Sequence, residues 1–291
     1  MADARPPGAA VERAFIAACE DELAAPKPGN VHLFAPGHGM EAKDFIDSAH
    51  AAAAHIGSPN ARVGRRILDA VEASFTRVGC NTNLGIILLC APVAHAALQR
   101  TSNSLREKLV VTLDGLDRCD ADLAFRAISR ASPGGLGAAP QHDVSRPAQI
   151  DLKQAMAHAA DRDRIAFQYV SGFEDVFVTG LEAVRRARSR HYEKSMTTLH
   201  VFMSFASTFP DSHILRKFNA ATAESVRRRA REVLSRLETT DNKESAFSIA
   251  LELDRSLKSE GLNPGTSADL TVATLFVDYL LPILPNVDKN G

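Results

Sequence analysis

Two acidic side chains fall at positions that the helical pattern of the sequence assigns to the protein interior. Glu22 lies on the apolar stripe of the first predicted helix, and Asp163 lies on that of predicted helix 152–170. An unpaired carboxylate is costly to bury, so each should contact a cation, a metal ion or a hydrogen-bond donor. Both are therefore candidates for a functional site, and for Asp163 a structural ion pair with Arg162 or Arg164 is the alternative.

The segment from Ala25 to His32 reads Ala-Pro-Lys-Pro-Gly-Asn-Val-His and contains a lysine on a constrained backbone. A residue that precedes proline is pushed out of the α region, so this segment should leave its helix in an extended conformation. The extended backbone would immobilise the stem of Lys27, and Gly29 would let a ligand approach the main chain. We predict that Lys27, Asn30 and His32 bind a phosphate-containing ligand; the alternative is a helix stop with a solvated lysine.

A polar turn flanked by glycines, residues 79–85, precedes a strongly apolar helix. The first N–H groups of a helix lack partners within the helix, so they form a ready site for an anion or a ribose hydroxyl. This helix is too apolar to face water, which places its polar end deep in the fold. The candidate binding residues are Asn81, Thr82, Asn83 and Gly85, with Asn81 or Thr82 as the N-cap and plain helix capping as the alternative.

Acidic residues also stand at turns in the second half of the chain. Asp211 lies at a predicted helix start, and Arg216 and Lys217 follow one turn later, an arrangement that suits a phosphate beside a carboxylate. Asp269 follows a Pro-Gly turn in a pattern close to a capping box, with Asp in place of Glu. Asp143 lies in the middle connector as a ligand or a turn former. For Asp211 and Asp269 the alternative is local helix capping.

The elements that position these residues are predicted to be helices almost throughout. Apolar residues recur at three- and four-residue spacing in segment after segment, and strand-like alternation is hard to find. We therefore predict a single compact all-α domain over residues 1–291, with the site built from connectors between helices. A domain boundary near residue 147 is the weaker alternative. The predicted helices are 9–24, 43–56, 62–77, 82–99, 104–114, 120–131, 152–170, 172–190, 195–208, 219–238, 243–259 and 267–281.

Composition excludes several classes of protein. Lys and Arg number 34 against 35 Asp and Glu, so the chain lacks the basic excess typical of proteins that bind nucleic acid. The four cysteines show no CxxC and no zinc-ligand spacing, which is typical of reduced cytosolic thiols. The N-terminus lacks the apolar run of a signal peptide, and the longest apolar stretch, 84–98, is too short to span a bilayer. We therefore predict a cytoplasmic protein with no nucleic-acid or membrane partner.

Taken together, these segments resemble the triphosphoribosyl-dephospho-CoA synthase family over nearly the whole chain, from about residue 12 to about residue 281. Its members show a Glu shortly before Pro-Lys-Pro-Gly, an Asn-Thr turn before an apolar helix, a late Asp segment and a closing Pro-Gly-x-x-Ala-Asp-Leu. Each motif alone is weak, and their common order makes the resemblance specific. The matching residues are Glu22, Pro26, Lys27, Pro28, Gly29, Asn81, Thr82, Asp211, Pro264, Gly265, Ala268, Asp269 and Leu270.

The resemblance implies an all-helical enzyme that uses ATP as a substrate. In this family an acceptor hydroxyl attacks the anomeric carbon of the ATP ribose, adenine leaves, and the ribosyl triphosphate is transferred. This chemistry needs a carboxylate to deprotonate the acceptor, a donor to help adenine leave, and cations with Mg²⁺ to hold the triphosphate. The implied roles are phosphate binding by Lys27, Arg216 and Lys217, acid–base catalysis by Glu22, Asp211 and Asp269, and metal binding by Asp163 and Asp211.

The chain departs from the family pattern at two places. The usual Asn-Thr-His-Lys-Gly is Asn-Thr-Asn-Leu-Gly at residues 81–85, and the early Gly-x-His-x-Asp-Met pattern lacks its aspartate. Because these positions lie where donor or acceptor contacts are expected, a changed acceptor is indicated. The variant resembles divergent members from archaea and one-carbon-metabolising bacteria. Those organisms make tetrahydromethanopterin, a coenzyme with an α-linked phosphoribosyl unit.

The leading hypothesis is therefore ATP-dependent triphosphoribosyl transfer with dephospho-CoA as the acceptor. One alternative is ribosyl-phosphate transfer in the biosynthesis of tetrahydromethanopterin or a related one-carbon coenzyme. A second alternative is a non-catalytic helical protein that binds a ligand or regulates another protein. The predicted partners are small molecules, namely ATP and a hydroxyl acceptor, and formation of a homodimer is left open.

Overall fold

All regular structure in the described part of the computed structural model, residues 8–133, 142–240 and 242–284, is helical. This confirms the predicted all-α fold. A π-helical stretch, Asp175–Gly180, leads into α9, and a 3-10 turn, Leu281–Ile283, follows α14. The α-helices are α1 (Gly8–Leu23), α2 (Ala42–Ile56), α3 (Val63–Val78), α4 (Leu84–Ala97), α5 (Leu105–Asp114), α6 (Arg118–Ala131), α7 (Leu152–Ala157), α8 (Arg164–Ser171), α9 (Leu181–Ser189), α10 (Lys194–Thr208), α11 (Ser212–Lys217), α12 (Ala220–Glu238), α13 (Lys243–Ser259) and α14 (Gly265–Leu280).

Helix α4 is buried on almost every side, as its uniformly apolar sequence predicts. It packs against α3, α5 and α14, and its side chains belong to the larger apolar core. Pro92 lies inside this helix, and because proline has no N–H, the carbonyl of Leu88 loses its partner within the helix. The hydroxyl of Tyr169 donates a hydrogen bond of 2.7 Å to that carbonyl, so the buried backbone group stays satisfied.

Helix α14 joins the two apolar cores of the molecule. Ala268, in its first turn, belongs to the smaller core, which also includes α10, α12 and α13. From Leu270 onward its side chains belong to the larger core around α1 and α4. The residue between these two, Asp269, therefore lies where the cores meet.

The predicted helix 152–170 is wrong, because the structure divides it into α7 and α8 with a turn at 158–163. The carboxylate of Asp163 accepts hydrogen bonds from the first backbone N–H groups of α8, at Ile165 and Ala166, and so starts a new helix. Asp163 is consequently an N-cap and does not lie on an apolar stripe. Its ion pair is with Arg216, which is distant in sequence, and not with Arg162 or Arg164.

The stretch 265–283, which includes α14, is long and apolar enough to cross a membrane by length and composition alone. In this fold 72% of that window is buried by the rest of the protein. The helix packs against α1, α4 and α10, which accounts for its composition as that of a core helix.

Helices α3 and α6 cross closely at Gly64. A Cβ atom at this position would lie 2.5 Å from the Cα atom of Asp120, which is rigid backbone. The Gly64 N–H also donates a hydrogen bond of 2.9 Å to the Asp120 carboxylate. The contact is therefore built for a residue without a side chain, and it fixes the position of α6 against α3.

We expect Gly64→Ala to destabilise the protein by about 1–3 kcal/mol, the usual cost of overpacking a core contact. Gly115→Ala is the matched control, because its φ is −90° and its nearest atom would be at 3.4 Å. Chemical denaturation of both variants measures the difference. Equal stability of the two would contradict this account of the α3–α6 crossing.

Candidate active site

A pocket of about 610 Å³ lies where several connectors between helices meet. Its volume is in the range of small-molecule binding sites. Segments that are far apart in sequence contribute to its wall: the end of α1, the turn before α4, the start of α8, α11 and the start of α14. The predicted site residues in this wall are Glu22, Asn30, Asn81, Thr82, Gly85, Asp143, Asp163, Arg216, Lys217 and Asp269.

The pocket has an apolar side and a basic side. Helices α4, α6 and α7 supply the apolar side, with residues such as Leu84, Phe125 and Met156. The basic side includes Arg216 and Lys217 at the end of α11. This division suits a ligand that has both a flat apolar part and a highly charged part.

Glu22 and Lys27 form a buried ion pair beside the pocket. Glu22 reaches the pocket wall, whereas Lys27 is 0% exposed and lies behind it. Lys27 also donates to the side chain of Asn30 at 3.2 Å, and Asn30 donates to Asn263 at 2.8 Å. Burial raises the pKa of Glu22 and lowers that of Lys27, while their mutual attraction opposes both shifts. Lys27 is thus placed to hold Glu22 and not to contact a ligand directly.

Asp269 lies over the first turn of α4, and its carboxylate occupies the space that a side chain at Gly85 would need. Burial raises its pKa well above the ordinary value, and the nearby carboxylate of Glu22 raises it further. No described residue donates a hydrogen bond to this carboxyl group. Asp269 is therefore the acid of the pocket that is best placed to hold or transfer a proton.

Asp211 lies behind the pocket wall and acts as a structural cap. One carboxylate oxygen accepts from the backbone N–H of His213 at 3.0 Å, at the start of α11. The other accepts from both the backbone and the hydroxyl of Ser267 at 2.8 Å, in the first turn of α14. Both oxygens are occupied, so the structure favours local capping for Asp211 over the catalytic and metal roles that the sequence suggested.

His32 is also behind the wall, in a polar network with α13. The Asp254 carboxylate is 3.3 Å from His32 Nε2 and 3.1 Å from Lys258 Nζ. It also accepts from the backbone N–H of Gly29 at 2.9 Å. Hydrogen bonds to His32, Gly29 and Lys258 lower the pKa of Asp254 despite its burial. This network fixes the Pro-Lys-Pro-Gly turn from behind and places Asn30 at the pocket.

The turn before α4 is held by a chain of polar contacts. Asn81 accepts from the Leu84 N–H at 3.2 Å, which satisfies the helix start, although Asn83 is the N-cap residue by position. Thr82 donates to Ser48 at 2.6 Å. The Asn83 side chain donates to Ser74 and points away from the pocket, so this predicted ligand does not line the wall.

Asp143 also lines the pocket. Its carboxylate accepts hydrogen bonds from the backbone N–H and the hydroxyl of Ser145 in a tight turn. These hydrogen bonds are those of a turn-forming residue, which was one of the two roles considered for Asp143. Asp163, at the start of α8, is 3.2 Å from Arg216 and lines the same cavity. Within the described ranges, no three His, Cys, Asp or Glu side chains come together as a preformed metal site.

Four histidines of the wall, His38, His142, His158 and His213, were not among the predicted site residues. His38 Nε2 is 2.8 Å from the carbonyl of Gly29. His213 packs against Gly265, and burial together with Lys217 and Arg216 lowers its pKa to about 3. It is therefore neutral at ordinary pH. The Pro-Gly turn before α14 was the sequence signal for His213, because only a glycine at position 265 leaves room for its imidazole ring.

The sequence model of the CitG family, ATP:dephospho-CoA triphosphoribosyl transferase, matches residues 8–286. Among solved structures, a proposed triphosphoribosyl-dephospho-CoA synthase from Archaeoglobus fulgidus superposes with a TM-score of 0.60 at 23% sequence identity, covering 79% of this chain and 95% of that chain. No curated protein matches the chain significantly in sequence. The structural likeness supports the fold, and the family match spans nearly the whole sequence.

We expect Asp269→Asn to raise the melting temperature at neutral pH. The raised folded-state pKa means that the folded protein loses stability as pH rises from the ordinary Asp pKa through the raised one. Asparagine removes that loss, and the gain should vanish below about pH 4, where the carboxyl is protonated in both states. Thermal denaturation across this pH range measures the effect, with Asp161→Asn on the exposed turn as control. A lower melting temperature at neutral pH would refute it.

Proposed function

Because the chain belongs to the ATP:dephospho-CoA triphosphoribosyl transferase family, we propose that the pocket between the connectors is its active site. The family reaction makes the protein an ATP-dependent transferase, in place of the non-catalytic alternative. The proposal depends on one observation: Glu22, Arg216 and Asp269 face a single cavity although they are far apart in sequence. Transfer of a ribosyl triphosphate needs this combination of carboxylates and cations.

The triphosphate of ATP is proposed to bind at the basic side of the pocket. Arg216 and Lys217 are the closest cationic side chains to that cavity on α11, and Arg162 lines it from the turn before α8. The first turn of α4 faces the cavity at Gly85 and Ile86, and the N-terminus of a helix attracts negative charge. Lys27 contributes indirectly, because it keeps Glu22 in place.

The carboxylates of the pocket decide whether it suits Mg²⁺. Magnesium in nucleotide sites is usually held by one or two carboxylates together with phosphates, so a preformed protein cage is not required. Asp163 lines the cavity, with Oδ1 capping α8 and Oδ2 paired with Arg216, so it would hold Mg²⁺ through the Oδ2 that now pairs with Arg216. Asp211 lies behind the wall, and its oxygens are occupied by Ser267 and His213. When bound, Mg²⁺ would neutralise part of the phosphate charge.

Two carboxyl groups with different environments supply the proton transfers. Asp269, whose pKa is strongly raised, is proposed to carry a proton and to donate it to adenine as the glycosidic bond breaks. Glu22, whose buried carboxylate pairs with Lys27, is proposed to accept the proton of the attacking hydroxyl in its ionised form. The proton lost by the acceptor and the proton gained by adenine thus pass through different residues.

Dephospho-CoA is the proposed acceptor, since it is the acceptor in the family reaction. A second candidate, a hydroxyl-bearing precursor of tetrahydromethanopterin or a related coenzyme, is favoured by one feature of the wall. Leu84 lines the pocket at a position where the related sequences carry lysine. An apolar residue there suits a less charged acceptor. A cytoplasmic location and a homodimer remain predictions.

We expect Asp269→Asn to lower kcat for adenine release by about 10²–10⁴-fold, the usual contribution of a general acid. Wild-type kcat should fall as pH rises through the raised pKa, because the donating form is then lost, and the variant should lack this limb of the profile. Adenine release from ATP with dephospho-CoA, measured by chromatography, tests both points. The control is Asp161→Asn, which should retain activity. Full activity of Asp269→Asn would refute the assignment.

The acceptor is tested at Leu84. If dephospho-CoA is the acceptor, Leu84→Lys should lower the kcat/KM for dephospho-CoA at least about tenfold, which corresponds to about 1.4 kcal/mol. The reason is that the added ammonium disturbs an apolar contact between the wall and the acceptor. Leu84→Met conserves volume and should change it little. A gain of dephospho-CoA activity in Leu84→Lys would instead show that the natural acceptor differs, and would favour the coenzyme precursor.

A further inference from the structure

A second cleft, with a volume of about 240 Å³, lies between the C-terminal end of α4, helix α5 and the start of α3. It shares no lining residue with the proposed active site among those described. The N-terminus of α4 enters the active-site pocket, and His95, near its C-terminus, lines the second cleft. At 1.5 Å per residue, the 14 residues of α4 separate the two by about 20 Å.

The cleft contains a lysine that has no partner. Lys108 of α5 is only 5% exposed and lines the cavity. No described residue gives its ammonium group a hydrogen bond or an ion pair, and burial lowers its pKa. The low exposure therefore reflects burial of the aliphatic stem, while the ammonium is not sealed off and opens onto the cleft, where an anion would pair with it.

Asp120 also lines this cleft, and both of its carboxylate oxygens are engaged by other groups. One oxygen of Asp120 accepts from the N–H of Gly64 at 2.9 Å, and the other accepts from Arg62 at 2.6 Å. His95 is also engaged, since its Nδ1 lies 3.2 Å from the carbonyl of Ala61 and its Nε2 lies 2.8 Å from the Gln99 amide. The hydroxyl of Thr112 donates to the carbonyl of Lys108 at 2.8 Å, which leaves the side chains of Thr101 and Asn103, at the edge of the cleft, as further polar groups of the described wall.

We propose that this cleft binds inorganic phosphate or a phosphate monoester group, held by Lys108 together with the side chains of Thr101 and Asn103. Lysine binds phosphate as a point charge, and the hydroxyl and the amide add hydrogen bonds to its oxygens. The volume is below the range typical of drug-sized ligands, so the cleft admits a phosphate group and not a whole nucleotide. The site is separate from the proposed active site and does not depend on its assignment.

Thermal denaturation with added inorganic phosphate, at ionic strength matched with chloride, tests the site. Saturating phosphate should raise the melting temperature of the wild-type protein by about 2–4 °C, and Lys108→Met should abolish this rise. Without phosphate, Lys108→Met should be about as stable as the wild type, because methionine keeps the buried apolar stem and no ion pair with a described residue is lost. Its adenine-releasing activity should be unchanged.

Two controls separate this site from other phosphate contacts. Lys217→Met weakens phosphate binding in the active-site pocket and should keep the rise, and so should Lys43→Met, which alters an exposed lysine. A rise that survives in Lys108→Met but not in Lys217→Met would overturn the proposal. Amide NMR of the wild-type chain gives a readout that needs no variant: phosphate should shift the signals of Thr101 and Asn103, and unchanged signals there would also overturn it.

Discussion

A buried salt bridge between Glu22 and Lys27 is the constraint on which the proposed active site depends. Two desolvated charges are stable only while each keeps its partner and further hydrogen bonds. Asn30 supplies one of these to Lys27 and is in turn bonded to Asn263, just before α14. The pair therefore connects the end of α1, the Pro-Lys-Pro-Gly turn and the start of α14. Removal of either charge would leave the other buried and alone, so these three segments are fixed together.

The distribution of hydrogen-bond donors gives the buried acids different chemistry. Asp254 is surrounded by donors from Gly29, His32 and Lys258, which lower its pKa and keep it ionised as an anchor. Burial raises the pKa of Asp269, the neighbouring carboxylates raise it further, and no described residue donates a hydrogen bond that would oppose the shift. Burial alone does not make an acid functional. The missing donors at Asp269 leave its proton available, and this favours it over the other acids as the proton donor.

Helical periodicity predicted the elements well because most helices bury one continuous apolar face. It failed at 152–170, where the Asp163 side chain satisfies backbone N–H groups and starts a new helix, a local effect that a periodic pattern does not contain. For the site, the sequence identified segments that do meet at one pocket, but not which way each side chain faces. Lys27, His32, Asn83 and Asp211 lie behind the wall. The partners of His32 and Asp211, namely Asp254 and Ser267, come from helices distant in sequence, which a local pattern does not contain.

The two residues in which this chain departs from its family at the start of α4 have different consequences. The side chain at 83 turns away from the pocket toward Ser74, so a change there affects how the turn is held. The side chain at 84 lies in the wall, so a leucine there replaces a charge that would face the ligand. Among the described lining residues, the lysine and arginine side chains of the pocket are consequently those of Arg162, Arg216 and Lys217. In the proposed reaction these cations and the N-terminus of α4 hold the triphosphate, and the Leu84 side chain faces a less charged part of the substrates.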